Sequence, residues 1–117
     1  MPLIGAAKPL HWTSHARAKM EYYRLSPARV RRIMHSPKRV EEGVAPSTVA
    51  MMQPASMKVS AKRGSKAGVW TQELWVMVQD SPKRRTVISA WRYPGVSKPR
   101  GEIADVIARE YRAFVGR

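Results

Sequence analysis

Residues 69–92 read VWTQELWVMVQDSPKRRTVISAWR, and this stretch decides the fold. Val69 to Gln79 is rich in β-branched and aromatic residues, and its later half is apolar at consecutive positions. A strand that is apolar on both faces is covered on both faces, so it belongs in the middle of a sheet. Asp80-Ser81-Pro82-Lys83 carries turn chemistry. Arg85 to Arg92 is the natural hairpin partner, and Tyr93-Pro94-Gly95 ends it.

Working outward, the C-terminal side gives a helix from about Gly101 to Val115. Ile103, Ile107, Tyr111 and Phe114 form its buried side. On the other side, Met57, Val59 and Ala61 alternate with Lys58, Ser60 and Lys62, the period of a strand with one wet face. Arg63 to Gly68, RGSKAG, reads as a basic turn. Residues 41–56 hold Gly43, Pro46 and Pro54 and read as a loop with a short strand near Thr48 to Met52.

The chain opens with two short helices. Thr13 or Ser14 can cap the first, in which Ala16, Met20 and Tyr23 have helical spacing. Ser26 and Pro27 suit the start of the second, with Val30, Ile33 and Met34 inward and Pro37 as its stop. Leu10 to Trp12 is a short strand or an extended lead-in, and residues 1–10 read as a flexible arm. Residues 11–117 then make one α+β domain: two helices, an antiparallel sheet of three to four strands, and a C-terminal helix.

The charge is the strongest compositional signal. There are 22 Lys and Arg against 8 Asp and Glu, a net charge of +14 over 117 residues. Solubility alone needs only about 2 to 8 charges in a small domain. The distribution is also uneven. Residues 1–40 carry nine basic groups and one acid, residues 41–80 carry four of each, and residues 81–117 carry nine and three. Such a field attracts phosphate backbones.

Cysteine is absent, which excludes disulfides, thiol nucleophiles and cysteine zinc sites and points to a reducing, cytoplasmic setting. No apolar run approaches the roughly 20 residues that span a bilayer. The N-terminus lacks the charged region of a signal peptide. His11 and His15 are four apart, but no acidic pair accompanies them, so no metal and no other cofactor is expected.

What remains suits metal-free phosphodiester chemistry on RNA. That reaction needs a base for the 2′-hydroxyl, an acid for the leaving oxygen and cations over the phosphate. His15 and Lys19, one turn apart on the first helix, can supply two of these roles. Ser89, Arg92 and Tyr93, on or just after the closing strand, can supply others. Backbone contacts are expected from Arg17, Arg29, Arg32, Lys58, Lys62, Arg63, Lys66, Arg84 and Arg85. Trp70 is the candidate for base stacking, since basic residues surround it in sequence. Trp75 and Phe114 read as core.

The pattern HA-x-x-x-M-x-x-x-x-L-S, His15 to Ser26, is followed by a second helix, a proline and RVEEG (39–43). With the strand ending VISAWR (87–92), it resembles a small bacterial and phage family of unassigned function, the His-Ala-helix domains. These are similar to the barnase–colicin–RelE group of RNase toxins, which includes BrnT. The resemblance covers residues 11–93. It implies a helical start packed on an antiparallel sheet, and metal-independent RNA cleavage by His15 and Lys19, with Arg92 at the end of the closing strand. Tyr23 stands where family members often have arginine, and residues 94–117 extend beyond the family core.

Two functional classes stay open. One is a toxin-like endoribonuclease with His15 as general acid or base and Lys19 and Arg92 on the phosphate. The other is a non-catalytic RNA- or DNA-binding protein, such as a ribosome-associated one, in which the same residues only grip backbone. RNA is expected ahead of DNA, an acidic antitoxin-like protein is a further possible partner, and no membrane is involved.

Overall fold

The computed structural model describes residues 8–56 and 70–116. The elements run β1 (Leu10–Trp12), α1 (Ser14–Tyr23), α2 (Pro27–His35), β2 (Arg39–Glu42), β3 (Thr48–Pro54), β4 (Gln72–Asp80), β5 (Arg85–Pro94) and α3 (Glu102–Val115). Among the described residues the strands form one five-stranded sheet of order β1-β5-β4-β3-β2. The class is α+β with a C-terminal helix. The strand expected over residues 57–62, the basic turn after it, and the arm up to residue 7 lie outside the described residues.

The β4–β5 hairpin is the centre of the sheet, as its two-faced apolar sequence requires. Leu74, Val76 and Val78 of β4 join Val87 and Ala90 of β5 on one face, under Ala16 and Met20 of α1 and Val30 and Ile33 of α2. Trp75, Met77, Ile88 and Trp91 lie on the other face, under Ile103 and Ile107 of α3. Each of the large apolar side chains contributes about 1.5–3 kcal/mol by leaving water. Trp75 and Trp91 are register partners, and their rings stack 6.1 Å apart at 4°. Both are buried, so Trp91 belongs to the core as Trp75 does.

Two features differ from the expected sheet. The first is mixed pairing. β1 runs parallel to β5, with Leu10, His11 and Trp12 opposite Arg85, Thr86 and Val87. A parallel neighbour needs a long connection, which a search for local hairpins does not find. The second is β2, which lies where a loop was expected from residue 41 onward. Its alternation is inverted. Arg39 and Glu41 are half-buried, while Val40 is 56% exposed. An apolar-inward rule cannot detect a strand that turns its charges in.

The helix ends follow local chemistry. Thr13 Oγ1 accepts from the Ala16 N–H at 2.9 Å and caps α1. Ser26 caps α2 in the same way, through Arg29 N–H at 3.1 Å, with Pro27 as its first residue. Gln53 Nε2 donates to the carbonyls of Arg32 and Ser36 and closes the far end of α2.

β5 carries one irregularity. Met77 pairs with Ser89 and Val78 with Val87, so Ile88 is an extra residue, a β-bulge. Ile88 packs on the α3 face. Simple alternation would turn Ser89 to the opposite face, but the bulge aims it at α3 as well. The Thr13 hydroxyl lies 3.0 and 3.2 Å from the carbonyls of Val87 and Ile88, which fastens the start of α1 to the bulge.

Candidate functional site

Three groupings of polar side chains stand out among the described residues. The first gathers on Glu110 of α3. Its carboxylate accepts from Lys19 Nζ at 2.8 Å and from Ser89 Oγ at 2.7 Å. His15 Nε2 lies 3.8 Å from Glu110 Oε1. The structure thus brings together three of the expected residues, His15, Lys19 and Ser89, around a fourth that the sequence reading missed. Helical spacing puts His15 and Lys19 on one side of α1, and the bulge supplies Ser89. Glu110 was detectable. Ile103, Ile107, Glu110 and Phe114 follow a 4-3-4 spacing, so a carboxylate occupies a stripe position on α3.

This cluster is largely closed. The side chains of His15 and Glu110 are only 12% and 11% exposed. The Phe114 ring stands 6.3 Å from the His15 ring, tilted at 56° to it. An imidazole beside a carboxylate is acid–base chemistry in kind. Here the carboxylate ties three elements together, and a phosphodiester has little surface to reach.

Arg92 is not part of the cluster. Its Nε donates to the Tyr23 carbonyl at 2.8 Å and its Nη1 to Gln72 Oε1 at 2.9 Å. It therefore holds the C-terminal end of α1, whereas His15 sits in the first turn, about 12 Å away along the helix axis. Tyr93 points to the α3 side, and its hydroxyl donates to Glu102 Oε1 at 3.2 Å. Loss of water around the phenol, helped by the Glu102 carboxylate, raises its pKa.

The second grouping surrounds Glu73, which is fully buried. Trp75 Nε1 and Ser97 Oγ donate to Oε1 at 3.0 and 2.6 Å, and Trp70 Nε1 and the Ser97 N–H donate to Oε2 at 3.0 and 3.1 Å. Arg39 Nη1 stands 3.6 Å from Oε2. A buried carboxylate so fully satisfied is an organising centre. It fixes Trp70, the candidate for stacking, by its indole N–H. Lys38 Nζ lies 5.6 Å from the Trp70 ring centroid and occupies part of the ring's surroundings.

The third grouping is open. A groove of about 630 Å³ runs between α2 and the β1–β5 edge, lined by Lys8, Leu10, Arg31, Arg32, Met34, His35 and Arg85. Four fixed cations and a histidine line it, and among the described residues no carboxylate does. Arg31, Arg32, His35 and Lys8 are exposed. Asp80 stands behind two of the cations. It makes a two-pronged pair with Arg85, at 2.7 and 3.0 Å, and lies 4.0 Å from Lys8. The Arg31 guanidinium lies 5.5 Å from the Trp12 ring centroid. Asp80 offsets part of the charge of Arg85 and Lys8, and Arg31 and Arg32 leave the groove a net cationic lining suited to an anion. Of the expected backbone contacts, Arg32 and Arg85 fall in this groove. Lys8, Arg31 and His35 were missed as site residues: Arg31 and His35 share a face of α2, but only the packing of α2 beside the β1–β5 edge brings Lys8 and Arg85 to them.

The other expected cations are scattered. Arg29 Nη2 donates to the carbonyls of Pro54 and Ala55 at 2.8 and 3.2 Å. Burial, then repulsion from Arg32 and Arg92, lowers its pKa from the ordinary arginine value. Arg17 is exposed beside the Trp12 carbonyl, and Arg84 is exposed in the β4–β5 turn. Lys58, Lys62, Arg63 and Lys66 lie outside the described residues. No helix among the described residues is long and apolar enough to cross a membrane. No protein-family model matches this chain, and no curated protein or solved structure matches it significantly.

Proposed function

We propose that this chain is an RNA-binding domain that grips phosphates in the groove between α2 and the β1–β5 edge. The observation that carries the reading is that groove: Lys8, Arg31, Arg32 and Arg85 line it with His35, and Asp80, which pairs with Arg85 and approaches Lys8, leaves the α2 cations Arg31 and Arg32 without an acid among the described residues of the lining. A net charge of +14 supplies the long-range attraction. RNA goes ahead of DNA because a concave site admits an unpaired strand, and unpaired strands are the usual target of RNA recognition. An acidic antitoxin-like protein would meet the same cations and compete for them.

The test is fluorescence anisotropy with a labelled RNA across a salt series. Four phosphate contacts give a log–log slope of about −3, and Arg31→Ala with Arg32→Ala reduces it by about 1.4. An affinity that ignores salt, or ignores both arginines, overturns the reading.

A second reading is metal-independent RNA cleavage by 2′-hydroxyl attack, as in a toxin-like endoribonuclease. It is favoured by the 3.8 Å approach of His15 Nε2 to Glu110. One of the pair would take the hydroxyl proton and the other would return one to the leaving oxygen, with Lys19 over the phosphate. The covered state of both side chains places this reading second.

A further inference from the structure

The groove is cationic on its walls and apolar on its floor. Of its lining, we assign the half-buried apolar Leu10 and Met34 to the floor, and Arg32 and His35 of α2, with Lys8 and the half-buried Arg85 on the β1–β5 side, to the walls. Phosphates alone have no use for an apolar floor. Duplex nucleic acid keeps its bases stacked inside and would cover Leu10 and Met34 with nothing that gains from the contact. An unpaired strand offers both chemistries at once, with base faces for the floor and phosphates for the walls. The volume of about 630 Å³ falls within the roughly 300–1,000 Å³ of small-molecule sites, which leaves room for a nucleotide.

From this geometry we infer that the groove takes a single-stranded segment, with one base seated on Leu10 and Met34 and its flanking phosphates held by Arg32 and Arg85. The inference rests on the nucleic-acid reading above and makes it more specific. Asp80 holds the Arg85 fork in place, so that wall is set before the ligand arrives. The Arg31–Trp12 pair at the groove's rim offers a further flat cationic surface for the next base.

The experiment compares three ligands of equal length on the wild-type protein: a single-stranded oligonucleotide, the same strand annealed to its complement, and a strand with its bases removed. The inference expects the single strand to bind roughly tenfold tighter than either of the others. Met34→Gln and Leu10→Gln, each checked for folding by tryptophan fluorescence, should erase that preference and leave the salt slope unchanged. If duplex and abasic strand bind as tightly as the single strand, the base-seat is overturned while phosphate binding stands. If the preference survives both substitutions, the base sits elsewhere and the assignment is overturned. If none of the three ligands binds at low salt, the inference and the nucleic-acid reading fall together. The ligand comparison needs no variant, so a variant that fails to fold does not rescue the inference.

Discussion

Ser89 donates to Glu110 at 2.7 Å because β5 carries one residue more than β4 between Val87 and Ser89. The bulge turns a polar side chain toward α3, where a carboxylate already stands among isoleucines. Glu110 then links β5, through Ser89, to α1, through Lys19. The pairing predicts a graded loss. Ser89→Ala removes one hydrogen bond and costs about 1 kcal/mol. Glu110→Ala strands the Lys19 charge and the Ser89 hydroxyl together and costs about 3 kcal/mol. Urea denaturation of both variants checks the order. Equal losses would show that Lys19 draws nothing from Glu110.

Gly43 closes the turn between β2 and β3. A Cβ there would collide with the Thr48 side chain. Thr48 cannot swing aside, because its carbonyl accepts from Gly43 N–H at 2.9 Å and its hydroxyl accepts from Ala45 N–H at 3.2 Å. Gly43→Ala is therefore expected to destabilise by about 1–3 kcal/mol, the usual cost of overpacking. Thermal unfolding monitored by circular dichroism measures it. An unchanged Tm would mean that this turn opens freely.

Much of the fold is legible in the sequence, and the reasons are physical. The β4–β5 hairpin, both N-terminal helices and α3 each declare themselves through local periodicity and caps such as Thr13 and Ser26. β2 does not, since Arg39 and Glu41 turn inward to meet Glu73 and one another. β1 is legible as an extended segment over Leu10 to Trp12, but its parallel pairing is not, since its partner is more than seventy residues away. The same division applies to the sites. His15 and Lys19 share a helix face and can be paired on paper. Glu110, Glu73 and the Lys8–Arg31–His35 groove are products of tertiary packing, and only the wrong-polarity residue in the α3 stripe hints at one of them.

Asp80 gives the fold a defined acid response. Its hydrogen bond with Arg85 is the chief cause of a carboxyl pKa held below the ordinary 3.8; burial opposes this, and the charges of Arg85 and Lys8 add to it. A carboxyl depressed in the folded state stabilises the fold wherever the unfolded chain would also be ionised. That contribution is complete above 3.8 and disappears as pH falls through the lower, folded value. Asp80→Asn should lower Tm near neutral pH and make no difference once the medium is more acidic than both values. Tm measured across that range checks the sign. A deficit that persists in strong acid would assign the effect to packing.

Cleavage has its own test. Total RNA incubated with purified protein in EDTA, then run on a denaturing gel, separates the two readings of His15. RNA binding alone predicts intact RNA with wild type and with His15→Ala. Metal-independent cleavage predicts fragments with wild type and none with His15→Ala. Fragments with both would move the chemistry away from the Glu110 cluster.

The most direct test of the central claim is where RNA touches the protein. Backbone amide NMR shifts, followed while a short single-stranded RNA is titrated in, report this residue by residue. Binding in the groove predicts perturbations concentrated at Leu10, Arg31, Arg32, Met34, His35 and Arg85, with Ser89 and Glu110 still. Perturbations concentrated at His15, Lys19, Ser89 and Glu110, with α2 still, would contradict the account and return the Glu110 cluster to first place.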